Sequence, residues 1–212
     1  MRTTAHALVP VKAFTDAKTR LSPLLDEHGR RELAIALATR SIRTLVAERP
    51  TTVVADDAEV LDLAGSLGAA TLHCSGPGLD LAVTEGLARL AELDVPRAVV
   101  VHSDLPLLDT VADLDVPSGV AIATDRHGQG TNAIGVAPTA DVRWAYGAGS
   151  LHRHRAEALR LGLAARRVHR IALAFDLDTP ADLRALPELD TGSDLAGLVE
   201  RLLTDHSRTG VR

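Results

Sequence analysis

Short apolar runs rich in valine, isoleucine and alanine alternate along this chain with longer stretches of helical period. The apolar runs predict strands over residues 7–11, 51–55, 69–73, 97–102, 120–124, 132–136 and 168–173. The stretches between them predict helices over residues 30–47, 58–66, 80–93, 150–161 and 180–186, with one more over 194–203. In the first of these, Leu33, Leu37, Ile42, Leu45 and Val46 form one broad stripe, while Arg30, Arg31, Glu32, Arg40 and Arg43 fall mostly elsewhere. That is the amphipathic pattern of a helix packed on a core. Thr179 as N-cap and Pro180 at the first helical position start the helix over 180–186. Strands alternating with helices predict an α/β fold with a mostly parallel sheet. Ligands of such sheets bind in loops outside the carboxyl edge of the strands. The end from Thr204 to Arg212 reads as frayed, so one domain over 1–204 and a flexible tail over 205–212 are expected.

Composition narrows the partners. With 212 residues, 46% apolar and 24% charged, the chain should bury roughly 70% of the surface its unfolded form exposes, enough for one core without staples. Cys74 is the single cysteine, so no internal disulfide can form and a reducing compartment is the expectation. The net charge of -5 and the lack of a Lys/Arg block interleaved with aromatics argue against a nucleic-acid partner. Aromatic residues make up only 2%, which leaves no stacking platform, so a purine would have to be held by backbone and aliphatic contacts. No apolar run approaches the roughly 20 residues of a membrane helix, and the start lacks the layout of a secretory signal. The expected location is the cytoplasm, with no membrane partner.

Four loops could carry chemistry. Lys12, Lys18 and Arg20 leave the first predicted strand close together, as a loop that neutralises phosphate oxygens would, although a solvated surface loop fits the same residues. The glycines of a Walker A loop are missing before Lys18-Thr19. Asp104 emerges where Val99-Val100-Val101 ends, and a carboxylate there must cap the turn before Pro106 or bind a cation. Asp176 and Asp178 at i and i+2 point to one side of an extended backbone, which suits an oxygen-liganded cation such as Mg2+. Asp178 and Asp182 could equally be acids at a helix N-terminus. The glycine loop from Asp125 through Thr131 to Ala133 formally matches a dinucleotide fingerprint, but a strand follows it where that fingerprint needs a helix. Gly147-Ala148-Gly149-Ser150 precedes a predicted helix whose free N–H groups could bind a carboxylate or phosphate, or it is simply a turn.

Other residues carry less. His152 and His154 lie about 200° apart on a helix and cannot share a metal from one face. His102 reads as a packed histidine, Cys74 as a buried structural thiol, and Trp144 with Tyr146 as anchors of a loop.

In order and spacing, four segments resemble one family. They are Val9-Pro10-Val11-Lys12 with Ala17-Lys18-Thr19-Arg20-Leu21, Ser103 to Leu108, Asp125 to Ala133 with Gly147 to Ser150, and Asp176-Leu177-Asp178-Thr179-Pro180-Ala181-Asp182-Leu183. The chain is similar to the guanylyltransferases of coenzyme F420 biosynthesis that act on 2-phospho-L-lactate or phosphoenolpyruvate. The resemblance implies a single Rossmann-like nucleotidyltransferase domain, a GT-A/MobA-like three-layer sandwich. It further implies that GTP and Mg2+ are used, that diphosphate is released, and that GMP is joined to a phosphorylated three-carbon acid. By the same resemblance Asp104, Asp176 and Asp178 would hold the metal, with Lys12, Lys18 and Arg20 facing the triphosphate. Thr131 and the Gly147, Gly149 and Ser150 loop would take the acid. One position departs from the family pattern: Asp80 stands in Gly78-Leu79-Asp80 where the family has Asn, next to the nucleotide.

In-line displacement at a phosphorus needs positioning and charge neutralisation more than covalent chemistry, and a substrate phosphate is already an anionic nucleophile. That agrees with the lack of a catalytic His or Ser motif. Two other readings fit the loops: a related enzyme acting on a sugar phosphate or a molybdenum cofactor, and a regulatory module that binds nucleotide without turnover. A homodimer is the assembly expected on general grounds.

Overall fold

In the computed structural model, which describes residues 5–209, seven strands form one sheet in the order β3-β2-β1-β4-β6-β5-β7. They are β1 (His6–Pro10), β2 (Thr51–Ala55), β3 (Ala70–His73), β4 (Ala98–Val101), β5 (Val120–Ala123), β6 (Ala133–Val136) and β7 (Ala165–Val168). β1 is parallel to β2 and β4, with Leu8 level with both Thr52 and Val100. Only β6 runs the other way, antiparallel to β4 through Val99 and Gly135 and to β5 through the pair Ile122 and Ile134. β2 and β4 are buried at every position, as the valine runs predict for strands covered on both faces.

The described residues form seven α-helices, α1 (Glu27–Glu48), α2 (Ala58–Ser66), α3 (Leu79–Glu92), α4 (Ser150–Arg160), α5 (Ile171–Ala174), α6 (Pro180–Leu189) and α7 (Asp194–Thr209), of which α1 to α4 pack on the sheet. Alternation along the strands divides the core. Ala7, Val9, Val53, Val99 and Val101 pack with Ile42 and Leu45 of α1 and Val60 of α2. On the opposite face Leu8, Val54, Val100 and Ile134 pack with Val83, Leu87 and Leu90 of α3 and Leu151 of α4. This is the expected three-layer sandwich. A satellite cluster joins Leu33 and Leu37 of α1 to Leu183 and Leu186 of α6 and to Leu195 and Val199 of α7.

Local chemistry sets the helix starts. α1 begins ahead of the expected position because Asp26 accepts a hydrogen bond from the N–H of Gly29 at 2.8 Å. Asp57 caps α2 through the N–H of Val60 at 3.1 Å. Thr179 and Asp182 form a capping box at the head of α6, with Pro180 in its first turn.

One predicted strand is corrected. Residues 168–173 are not a strand: β7 ends at Val168, and Ile171–Ala174 is the short helix α5. β7 is an edge strand whose Arg166 and Arg167 are exposed, so no apolar run marks it, while the apolar run after it packs Ala172 and Leu173 inward as a helical turn. At the carboxyl end α7 continues past the expected Leu203 to Thr209, and residues 210–212 of the expected tail lie outside the described residues.

Candidate active site

The acidic loops meet at the carboxyl edge of the sheet. Past β4 the chain continues in register for one residue, His102 N–H donating to Asn132 C=O at 2.9 Å, and then turns through Ser103 and Asp104. Ser41 Oγ of α1 donates to the Ser103 carbonyl at 3.1 Å. The N–H of Leu177 donates to the Asp104 carbonyl at 3.1 Å, so the backbone itself lays the Asp176–Asp178 segment beside Asp104.

Between these loops stands Lys18. Its backbone is left-handed, with φ of 55°, at the head of a single 3-10 turn over Thr19–Leu21. Its Nζ lies 2.7 Å from Asp104 Oδ2 and 2.8 Å from Asp178 Oδ1, and its side chain is only 8% exposed. Burial pulls the ammonium toward neutrality, but the Asp104 and Asp178 charges beside it outweigh burial and hold its pKa above the usual lysine range. Burial pushes Asp104 up, and Lys18 with His102 more than offsets this, leaving the carboxyl below its ordinary value. At Asp176 the Lys18 charge does not prevail. Burial, then the carboxylates of Asp104 and Asp178, raise its pKa to about 6. Arg20 reaches in from the surface, Nη1 3.5 Å from Asp178 Oδ2, with its side chain 76% exposed.

Among the described residues no group of three or more His, Cys, Asp or Glu side chains is arranged to hold a metal ion. The triad expected at Asp104, Asp176 and Asp178 is therefore not assembled as an open cradle, because the Lys18 ammonium occupies the gap between two of its members. The residues nonetheless suit a cation. An ammonium already sits there as a stand-in, Asp104 Oδ1 is buried with no hydrogen-bond partner, and Asp176 is destabilised as an anion by burial and by its like-charged neighbours.

Two cavities open from this point. One of about 260 Å³ is lined by Lys12, Lys18, Thr19, Arg20 and Asp178 against Phe14 and Leu37. The other, of about 460 Å³, runs along the ends of β1 and β2 to the head of α3, between Pro10, Ala55, Gly76, Pro77, Leu79 and Ala82. Val11, Lys12, Asp16, Ser103 and Asp104 belong to both walls. The larger cavity joins an aliphatic wall of Pro10, Val11, Ala55, Leu79 and Ala82 to a polar one of Asp56, His102, Ser103 and Asp104. Sequence patterns did not single out Asp56, which lines the larger cavity as an isolated polar residue outside any motif. Cys74 lines the larger cavity too, buried, with burial pushing its thiol pKa up, in keeping with a structural thiol.

The remaining expected residues lie in a second cluster. Asp80 lines neither cavity: its Oδ1 accepts the N–H of Tyr146 at 2.8 Å and ties the loop before α4 to the head of α3. Thr131, Gly147, Gly149 and Ser150 also line neither cavity. Gly147 and Gly149 take φ of 92° and 76°, a turn that side chains resist, and feed the buried Ser150 into α4. His154 organises this cluster. Its Nε2 accepts the N–H of Ala145 at 3.3 Å, so Nδ1 carries the proton and donates to Thr131 Oγ1 at 3.0 Å. Arg153 holds the same loop by donating to the carbonyls of Ala145, Tyr146 and Ala148 at 3.0, 3.0 and 2.7 Å. Tyr146 stacks on Trp144 and meets the edge of His154 and the ring of His102, so both aromatics anchor the loop as expected.

Residues 5–193 match the family described as "Guanylyl transferase CofC like". The chain is 36% identical over 192 residues to the phosphoenolpyruvate guanylyltransferase of Sphaerobacter thermophilus, covering 86% of this chain and 92% of that protein. It is 38% identical over 189 residues to the enzyme of the same name from Rubrobacter xylanophilus, covering 85% and 92%. Against the namesake from Streptomyces coelicolor it is 35% identical over 92% of this chain and 96% of the relative. Among solved structures, a Desulfovibrio desulfuricans G20 protein described as a nucleotide-diphospho-sugar transferase superposes with a TM-score of 0.73 at 17% identity, covering 95% of this chain and 97% of that one. CMP:2-keto-3-deoxy-manno-octonic acid synthetase superposes with a TM-score of 0.54 at 14% identity, covering 88% and 98%. At those identities the structures show the fold alone. The family match, running over nearly the whole described chain and joined by relatives identical at more than a third of the aligned positions, makes this chain a member of the CofC-like guanylyl transferases.

Proposed function

We propose that the chain transfers the guanylyl group of GTP to phosphoenolpyruvate and releases diphosphate, a step in the making of coenzyme F420. The observation that carries this is the junction at Lys18, Asp104 and Asp178, where a cavity with one aliphatic wall, large enough for a nucleoside, meets a cationic one. The names of the relatives supply the acid substrate.

Guanine lies in the larger cavity among Pro10, Ala55, Leu79 and Ala82, and the triphosphate runs past Ser103 toward Lys12, Lys18 and Arg20. A phosphate oxygen of the acid attacks the α-phosphorus of GTP, the bond to the bridging oxygen breaks, and diphosphate leaves toward the cations. Mg2+, held by Asp104 with Asp176 and Asp178, would neutralise charge on the reacting phosphates. Lys12 and Arg20 stabilise the departing diphosphate, Arg20 through its two-pronged guanidinium. The Thr131 loop and the Gly147, Gly149 and Ser150 turn shape the acid end through their backbone, although the N–H groups expected to be free at the head of α4 are taken, Ser150 donating to Gly147 C=O at 3.0 Å, Leu151 to Gln129 C=O at 3.0 Å and His152 to Gly149 C=O at 3.1 Å. Asp80 acts here through the Tyr146 loop rather than on the base. No helix among the described residues is long and apolar enough to cross a membrane, and the buried thiol of Cys74 suits a reducing cytoplasm. A homodimer is the assembly that symmetry favours.

Diphosphate release is the test, measured with GTP and CTP against phosphoenolpyruvate, 2-phospho-L-lactate and a sugar phosphate, with and without Mg2+. Turnover is expected with GTP and phosphoenolpyruvate in Mg2+. Turnover with a sugar phosphate and none with either three-carbon acid would overturn the proposal.

A further inference from the structure

Asp182 does more than a helix cap requires. It is 2% exposed, and its Oδ2 accepts three hydrogen bonds, from Thr179 N–H at 2.7 Å, Thr179 Oγ1 at 2.8 Å and Asp178 N–H at 3.1 Å. A capping box needs only the reach back to the Thr179 N–H. The bond to Asp178 N–H fixes the backbone of the residue whose carboxylate grips Lys18. The other oxygen, Oδ1, pairs with the guanidinium of Arg126, which also lies 5.4 Å over the ring of Phe175. A carboxylate this deeply buried needs a compensating charge, and Arg126 supplies it.

Arg126 belongs to the loop between β5 and β6 that carries Thr131. The other end of that loop is tied to the same segment, since Asn132 Nδ2 donates to the carbonyls of Leu173 and Ala174 at 3.1 and 3.3 Å. Within the loop Asp125 Oδ1 accepts the N–H of Gln129 at 2.8 Å, which gives the intervening turn a fixed shape. The loop proposed to shape the acid site and the loop proposed to hold the cation are thus clamped together at two points, one of them an ion pair.

We propose that Arg126 and Asp182 are a positioning pair for the reaction, holding the Asp178 carboxylate in register with the Thr131 loop so that the cation and the acid substrate meet in one geometry. This rests on the guanylyl transfer put forward above. Partners that orient a metal ligand typically change metal affinity by about 10- to 100-fold when removed.

The test uses Arg126→Met, which keeps the aliphatic stem over Phe175, and Asp182→Asn, which keeps an acceptor for the cap. Wild-type turnover of GTP with phosphoenolpyruvate is measured first; its absence refutes the underlying reaction and with it the pair's role. Given that turnover, both variants should raise KM for phosphoenolpyruvate and for Mg2+ by about tenfold or more, with kcat changed less than KM. Mn2+ binding in the presence of phosphoenolpyruvate, followed by electron paramagnetic resonance without nucleotide, should weaken by a similar factor, while GTP affinity holds. If Asp182→Asn fails to fold, Arg126→Met alone decides. A fall in Tm with unchanged KM values and unchanged Mn2+ affinity would make the pair a structural cap and overturn the proposal.

Discussion

Asp104 and Asp178 grip the same atom, the Nζ of Lys18, at 2.7 and 2.8 Å from two loops that the backbone bond between Leu177 and Asp104 already holds side by side. One ammonium cannot neutralise both carboxylates and the nearby Asp176, so the centre is short of positive charge. Lys18→Met should therefore destabilise the protein by about 2–3 kcal/mol, below the usual 3–5 for a broken buried pair because the Asp178 side chain is 38% exposed and screened. Mg2+ should recover much of that loss, since a ligand at a hundred times its Kd contributes about 2.7 kcal/mol. Melting curves of wild type and variant with and without Mg2+ check this. A larger Mg2+ shift in Lys18→Met is expected, and equal shifts would count against a cation site between these carboxylates.

Arg20 approaches Asp178 from solvent with its guanidinium otherwise uncommitted. If that fork receives the leaving diphosphate, Arg20→Lys should lower kcat/KM for GTP by about tenfold, because a point charge cannot make two parallel bonds. Stability should stay within about 0.5 kcal/mol, as for most exposed substitutions. Steady-state kinetics at varied GTP decide it, and a wild-type value would remove Arg20 from the triphosphate.

His154 gives the pH dependence. Burial, partly offset by Asp80, depresses its pKa from 6.5 to about 4. The unfolded chain then binds a proton that the folded one refuses between these values, so stability is complete above pH 6.5 and falls as pH drops toward 4. The loss is at most about 3 kcal/mol. Urea titrations across that window should show a flatter profile for His154→Gln; parallel profiles would mean that another group governs acid unfolding.

Gly135 tests the placement of β6. A Cβ there would lie 2.1 Å from the carbonyl oxygen of Leu114, which is backbone and cannot swing aside. Gly135→Ala should cost about 1–3 kcal/mol, measured by thermal or chemical unfolding, and a neutral result would contradict the close approach.

Much of this architecture is legible in the residue pattern, for identifiable reasons. Residues 58–66 give a helix with the expected bounds because Asp57 caps it and its apolar positions keep helical spacing. β7 escapes because an edge strand can carry Arg166 and Arg167 outward, and local apolar content then points to the wrong segment. At the site, the motif positions of Lys18, Asp104 and Asp178 are visible in one dimension, but their shared bond is not, since nothing local to Lys18 reports two acids so distant in sequence. Asp80 shows the same limit: its place in a motif suggests the base, while the bond its Oδ1 accepts from the N–H of Tyr146 comes from a loop far along the chain and no local pattern reports it.

The most direct test is a crystal structure with Mn2+ and phosphoenolpyruvate, located by the metal's anomalous signal. The account predicts an ion about 2.1 Å from a carboxylate oxygen of Asp104 and from one of Asp176 or Asp178, with the Lys18 ammonium moved out of the gap toward the phosphate. An ion bound elsewhere, with Lys18 still bridging Asp104 and Asp178, would contradict it.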